Sequence, residues 1–243
     1  MSKKCNKCGR YVDDQLKNGQ YVCPWMPCGH GVDIVDGHNY SKADVPYFHK
    51  PTKISIILPY AFSPDPLRQL ALRRVINCLG RQTFSNYELI VVEDTCGRGM
   101  GVFPFAYAAD KYIVVDDPKH KKFNKSWLMN IGARAATTEH LIFHDADIIY
   151  GKTYLQVVVE SIKKNKVMRC WSQFWTMRGK DNPVRRNHCE TSLHCLAGVW
   201  YCNRITFFEN ILGYCEDYFG YGREDSDIWF RTKHLMGGTI PSV

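Results

Sequence analysis

Leu141-Ile142-Phe143-His144-Asp145-Ala146-Asp147-Ile148-Ile149-Tyr150 is an apolar run interrupted by two carboxylates one residue apart. Its first part reads as a buried strand. Strand alternation then points Asp145 and Asp147 the same way, just past the strand's end. One can face a ligand's hydroxyls and the other a divalent cation on a diphosphate. A bare D-x-D arises often by chance, and its bland reading is a solvated turn. The apolar strand before it and Ile148-Ile149-Tyr150 after it favour a ligand site.

Three more buried strands lie upstream. Residues 54–58 are a β-branched run ended by Pro59, residues 89–92 run into Glu93-Asp94, and residues 112–115 run into Asp116-Asp117. Between them, apolar residues at 67, 70, 71, 75, 78 and 79 have helical spacing, closed by Gly80. Residues 126–136 form a second helical pattern with Trp127, Leu128, Ile131 and Ala135 on its apolar side. Strands alternating with helices predict an α/β fold with a mostly parallel sheet covered on both faces. Asp94, Asp116/Asp117 and Asp145/Asp147 all follow strands, where open α/β sheets build ligand sites. One such aspartate could be a cap or turn residue; three strands ending this way point to a site.

Downstream, Gly220-Tyr221-Gly222-Arg223-Glu224-Asp225-Ser226-Asp227 sets two glycines and an aromatic ahead of clustered acids. The glycines let backbone approach a ligand. Acids at a helix start are also favoured by the macrodipole, so capping explains one or two of them. Glu224 beside Asp225, preceded by Tyr218, Phe219 and Tyr221, reads as an acceptor pocket with a general base.

The rest of the composition bounds the class. At 243 residues, 45% hydrophobic and 23% charged, the chain is globular, which excludes disordered, collagen-like and coiled-coil proteins. No apolar run spans a bilayer and none follows Met1-Ser2-Lys3-Lys4. A soluble cytoplasmic protein is therefore expected, in the host cytoplasm if the chain is viral. Four of the 11 cysteines cluster as Cys5-x2-Cys8 and Cys23-x4-Cys28, a spacing that suits a tetrahedral structural Zn²⁺ site. Tyr11-Val12 and residues 20–22 read as short strands between the two pairs. Residues 1–35 are thus expected to be a zinc-ribbon-like module, with His30 a loop residue or a substitute ligand. Residues 36–52 read as linker and residues 53–243 as the main domain. The other seven cysteines read as reduced thiols.

Three of these stretches together resemble the GT-A-fold glycosyltransferases, the β-1,4-galactosyltransferases most closely. Residues 123–132, Phe-Asn-Lys-Ser-Trp-Leu-Met-Asn-Ile-Gly, resemble that family's nucleotide-contacting F-N-R-A-K-L-L-N-V-G. Residues 143–149 resemble its metal motif, and residues 220–227 its G-W-G-G-E-D-D-D. Pro59-Tyr60-Ala61 and Glu93-Asp94 resemble the uridine-side contacts it shares with the family 2 glycosyltransferases, and Ala197-Gly198-Val199 the G-G-V beside the donor sugar.

The resemblance implies inverting transfer from a UDP-sugar. Pro59, Tyr60 and Asp94 would lie on the uridine side, with Phe123 and Asn130 in the nucleotide-contacting segment. Lys125 and Arg134 would add positive charge at the phosphates, and Asp145 and Ala146 would assist at the nucleotide. Asp147 would bind Mn²⁺ (or Mg²⁺), and Gly198 would lie against the sugar. Tyr221 would cover the acceptor, Glu224 would contact it, and Asp225 would be the catalytic base. Lys125 stands where the family has arginine and Tyr221 where it has tryptophan. The chain ends at Val243 before the family's metal-ligating histidine, and His234 lies too early to replace it. A non-catalytic binding module on the same scaffold is the rival class; retention of Asp145, Asp147, Glu224 and Asp225 argues against it.

Charge bears on the acceptor. The chain's net charge is +8, and residues 163–186 hold eight Lys/Arg against Asp181 alone, interleaved with Trp171, Phe174 and Trp175. Residues 111–125 add five lysines against two aspartates. Basic residues among aromatics suit a nucleic-acid acceptor, such as hydroxymethyl-pyrimidine DNA of a viral genome. The same residues suit a solvated face over a site for a glycan, lipid-linked sugar or protein hydroxyl, and the pattern leaves both open.

Overall fold

A computed structural model describes residues 52–98, 101–116, 122–171, 195–220 and 222–242, with the backbone of short strands at Lys3–Lys4, Tyr11–Val12, Leu16–Lys17, Gln20–Tyr21, Trp175–Arg178 and Asn182–Arg185. The chain divides into two units, Met1–His49 and Lys50–Val243. In the first, Lys3–Lys4 pairs antiparallel with Tyr11–Val12, and Leu16–Lys17 with Gln20–Tyr21. The two stretches expected as strands are strands, each with its own partner. Cys5, Cys8, Cys23 and Cys28, and with them the zinc-ribbon expectation, lie outside the described residues.

The second unit is a six-stranded mixed sheet. Its strands are β1 (Ile54–Ala61), β2 (Tyr87–Asp94), β3 (Lys111–Val115), β4 (His140–His144), β5 (Val167–Arg169) and, after the hairpin of β6 (Trp175–Arg178) and β7 (Asn182–Arg185), β8 (Val199–Asn203). The order across the sheet is β3-β2-β1-β4-β8-β5. β1 to β4 are mutually parallel; β8 runs antiparallel between β4 and β5. The four parallel strands therefore end on one edge, where the aspartate-bearing turns emerge.

Helices α1 (Pro66–Gly80), α2 (Lys125–Ala135), α3 (Tyr154–Ile162) and α4 (Glu224–Leu235) cover the sheet. Alternation along β1 divides the core. Ile54, Ile56 and Leu58 pack with Leu72, Val75 and Leu79 of α1 and Leu155 and Val158 of α3. Ile57 packs on the other side with Leu128 and Met129 of α2 and Ile228 and Trp229 of α4. Each fully buried aliphatic of this kind contributes about 1.5–3 kcal/mol. α1 starts where Asp65 accepts the Leu67 N–H at 2.9 Å with Pro66 in the first turn. Asn124 caps α2 by accepting the Trp127 N–H at 3.0 Å.

β1 does not stop at Pro59 but continues to Ala61. Its ladder to β4 ends at Ile57, so Pro59 has a strand partner on one side only. A strand tolerates a missing N–H at such a position. Among the described residues, no helix is long and apolar enough to cross a membrane.

Candidate active site

Lys125, the first residue of α2, is the centre of the site. Its Nζ lies 2.7 Å from Asp145 Oδ1, 3.0 Å from each carboxylate oxygen of Asp225 and 3.7 Å from Glu224 Oε1. These groups come from the start of α2, the turn after β4 and the start of α4. Backbone bonds fasten the same segments together. The Gly220 N–H donates to Phe123 O at 2.8 Å, and the Leu196 N–H donates to Asp225 O at 3.0 Å. The Asp145 N–H donates to Gly198 O, and the Gly198 N–H returns to Asp145 Oδ2, both at 2.8 Å.

The cluster is largely removed from water: the Lys125 side chain is 12% exposed and that of Asp225 16%. Burial works to lower the Lys125 pKa, but the charges of Asp145 and Asp225 outweigh it, and the ammonium titrates well above its ordinary value. Burial raises Asp225 to about 6. Lys125 pulls it down, while Asp145 and Glu224 push it up. A carboxyl so placed is poised to take a proton near neutral pH.

Asp147 stands exposed beside this cluster. Desolvation by the atoms packed near its carboxyl, then the charge of Asp145, raise its pKa; Lys125 and Arg68 pull it down. Among the described residues no group of three or more His, Cys, Asp or Glu could hold a metal ion. Asp147 nevertheless fits a hard divalent cation, as an exposed oxygen donor in a net-acidic corner, with diphosphate and water oxygens to complete the shell. Beneath the turn, the buried His144 donates from Nδ1 to Asp145 O at 2.6 Å, and its Nε2 accepts from the Tyr150 hydroxyl at 3.1 Å. Burial lowers its pKa to about 4, so the ring is a neutral support for the turn.

Several residues with expected ligand roles have other partners. Asp94 is 1% exposed, and its carboxylate accepts the N–H groups of Cys96 at 2.8 Å and Asn124 at 3.3 Å. It anchors the turn that delivers Lys125. Glu93 is fully buried and accepts from the Val102 and Phe103 N–H groups, Arg98 and the Tyr112 hydroxyl. Asp116 serves the turn at Thr95 and Gly97. Asn130 is buried and clamps the backbone of Tyr214 from both sides while donating to Glu216.

Arg134 sits nine residues along α2 from Lys125, about 13 Å by helical rise. It faces Glu216 at 3.6 Å and is not brought to the cluster. Pro59 and Tyr60 are buried at the end of β1, Tyr60 edge-on to Phe103, and Ala146 packs on the α1–α3 core. Tyr221 lies outside the described residues.

Gly220 and Gly222 adopt left-handed backbone (φ +84° and +102°), and a Cβ at either would meet no neighbour. Turn conformation, rather than close approach, therefore requires glycine there. Arg223 follows with φ +75°, a strained setting immediately before Glu224. Sequence reasoning missed Arg68, whose charge reaches Asp147 from the first turn of α1. Its position just after the end of β1 was the available signal.

A six-stranded, mostly parallel α/β sheet covered by helices on both faces is the GT-A type of fold. The chain belongs to glycosyl transferase family 2, whose pattern matches residues 55–226. No curated protein matches it. Among solved structures, S. aureus TarS residues 1–349 aligns with TM-score 0.53 at 15% identity, over 74% of this chain and 55% of that one. The same protein in complex with UDP aligns with TM-score 0.52 at 14% identity, over 73% and 54%. The chain thus spans just over half the length of these structures, and at such identity the likeness is one of fold.

Proposed function

We propose that the protein is a metal-dependent inverting glycosyltransferase that moves a sugar from a UDP-sugar to an acceptor hydroxyl. The observation that carries this reading is the convergence of Asp145, Glu224 and Asp225 on one ammonium beside the exposed Asp147. Family membership and the UDP complex of the TarS fold support a uridine nucleotide as donor.

In this mechanism Asp145, held by Gly198 and Lys125, presents its carboxylate to the nucleotide. Asp147 would hold Mn²⁺ or Mg²⁺, which supplies Lewis-acid charge at the departing diphosphate. Asp225 takes the proton from the acceptor hydroxyl as its oxygen bonds to the anomeric carbon, and the bond to the UDP oxygen breaks. Glu224, adjacent on α4, orients the acceptor. The order of the three motifs is that of the β-1,4-galactosyltransferase pattern.

For the acceptor, the basic run at 163–186, which contains the β6–β7 hairpin, supports a polyanion such as hydroxymethyl-pyrimidine DNA. A glycan, lipid-linked sugar or protein hydroxyl is the alternative. A UDP-release assay with MnCl₂, a panel of UDP-sugars and hydroxymethylated DNA or monosaccharides separates them. Release stimulated by the DNA supports the polyanion, and stimulation by sugars alone removes it. No release with any donor contradicts the transferase reading and leaves a non-catalytic binding module. For the N-terminal unit we propose a structural Zn²⁺ held by Cys5, Cys8, Cys23 and Cys28. Metal analysis should find one zinc per chain, lost in Cys5→Ser/Cys8→Ser.

A further inference from the structure

We propose that Lys125 is a donor-operated latch on the base: it holds Asp225 in the donor-free protein and is drawn off by the diphosphate when a UDP-sugar binds. The inference rests on the UDP-sugar reading above and adds a coupling between the two half-sites.

The geometry is specific. An ammonium has three N–H donors. Those of Lys125 are taken up by Asp145 Oδ1 at 2.7 Å and by both oxygens of Asp225 at 3.0 Å. Asp225 in this state has each oxygen directed at the same cation, so neither is presented freely to an acceptor hydroxyl. The pairing also weakens it as a base, since a neighbouring positive charge favours the carboxylate. Lys125 is the nearest cation in the cluster. Among the described residues, the other charges that act on Asp225 are Asp145 after β4 and Glu224 on its own helix; Asp225 in turn raises the neighbouring Tyr214 hydroxyl and Cys195 thiol. The carboxylates push its proton affinity upward, so release of Lys125 leaves Asp225 among like charges.

A diphosphate presents several anionic non-bridging oxygens, only some of which a divalent cation at Asp147 would occupy. The flexible four-carbon stem lets the ammonium turn toward the others while keeping Asp145, its shortest contact. Seating the donor therefore strengthens the base at the moment an acceptor can be used.

Proton linkage tests this without a known acceptor. Binding of UDP-glucose and of UDP-N-acetylglucosamine, each with MnCl₂, is measured by calorimetry at pH 7 in buffers of different ionisation enthalpy. Neither sugar nucleotide titrates near this pH. The latch gives net proton uptake on binding, as the Asp225 carboxyl rises from about 6 when the ammonium leaves it. The uptake disappears in Asp225→Asn and in Lys125→Gln. Binding without uptake in the native protein, or uptake that persists in Asp225→Asn, overturns the latch; these two proteins decide the matter even if the lysine variant fails to fold. Absence of binding by either sugar nucleotide overturns the donor reading on which the latch stands.

Discussion

Asp145 and Gly198 exchange two hydrogen bonds, both at 2.8 Å: the Asp145 N–H reaches Gly198 O, and the Gly198 N–H reaches the Asp145 carboxylate. The exchange sits where β4 and β8 begin to separate, and it fixes one carboxylate oxygen while Lys125 fixes the other. Gly198 makes it with φ +84°, which a side chain resists at a cost on the order of 1–3 kcal/mol. Gly198→Ala is expected to weaken UDP-sugar binding about tenfold, the equivalent of 1.4 kcal/mol. Calorimetry checks this, and unchanged affinity would show that Asp145 does not need the exchange.

The pH dependence follows from Asp225. A base works ionised, so kcat/KM should fall as pH drops through the Asp225 pKa of about 6 in the donor-free protein, and kcat at saturating donor from a higher pH. The acid limb of kcat/KM for the donor reads this value. Because Glu224 raises the Asp225 pKa, Glu224→Gln should move that limb to lower pH whatever it does to the maximum. A limb that moves upward would contradict the arrangement of charges.

His144 makes a separate statement about stability. Its pKa is lowered from 6.5 to about 4 by burial, so the folded protein binds fewer protons there than the unfolded chain. The contribution is present above pH 6.5 and is lost as pH falls toward 4; a shift of this size corresponds to roughly 3 kcal/mol. Thermal unfolding from pH 7 to 4.5 should decline more steeply for the native protein than for His144→Gln. Equal slopes would mean the imidazole is not the group that charges.

Gly132 tests the packing that sets the site. A Cβ there would run into the Ile57 side chain, so the absence of one lets α2 lie close on β1 and β2. Gly132→Ala should cost about 1–3 kcal/mol by overpacking. Lifting α2 also displaces Lys125 from Asp145 and Asp225. A denaturation midpoint equal to the native value would contradict the close approach.

The parallel half of the sheet was legible because β1, β2 and β4 are buried on both faces and read as continuous apolar runs bounded by punctuation. α1 and α2 were legible from their apolar spacing. α3 carries Val157, Val158 and Val159 in succession, which gives no helical signal of its own; it is a helix because Leu155, Val158 and Ile162 bury against the sheet. The antiparallel β8 was invisible for the opposite reason, since its place between β4 and β5 is decided by pairing rather than by its own pattern.

At the site, the motifs named the acids, but one hundred residues separate Lys125 from Asp225, and no local pattern announces their pairing. The same limit explains Asn130 and Asp94. Each lies in a ligand-type motif, yet Asn130 spends its side chain on the distant Tyr214 backbone and Asp94 reaches Asn124 as well as its neighbour Cys96.

Transfer and donor binding, measured side by side on Asp225→Asn, separate the base from the nucleotide site. Transfer is read as MnCl₂-dependent UDP release with the acceptor found by the panel, and binding as the UDP-sugar dissociation constant. Transfer should be lost while donor affinity stays within a few-fold of native, because the acid at the start of α4 serves the acceptor proton. Retained transfer in Asp225→Asn would contradict Asp225 as the base and, with it, this assignment of the site.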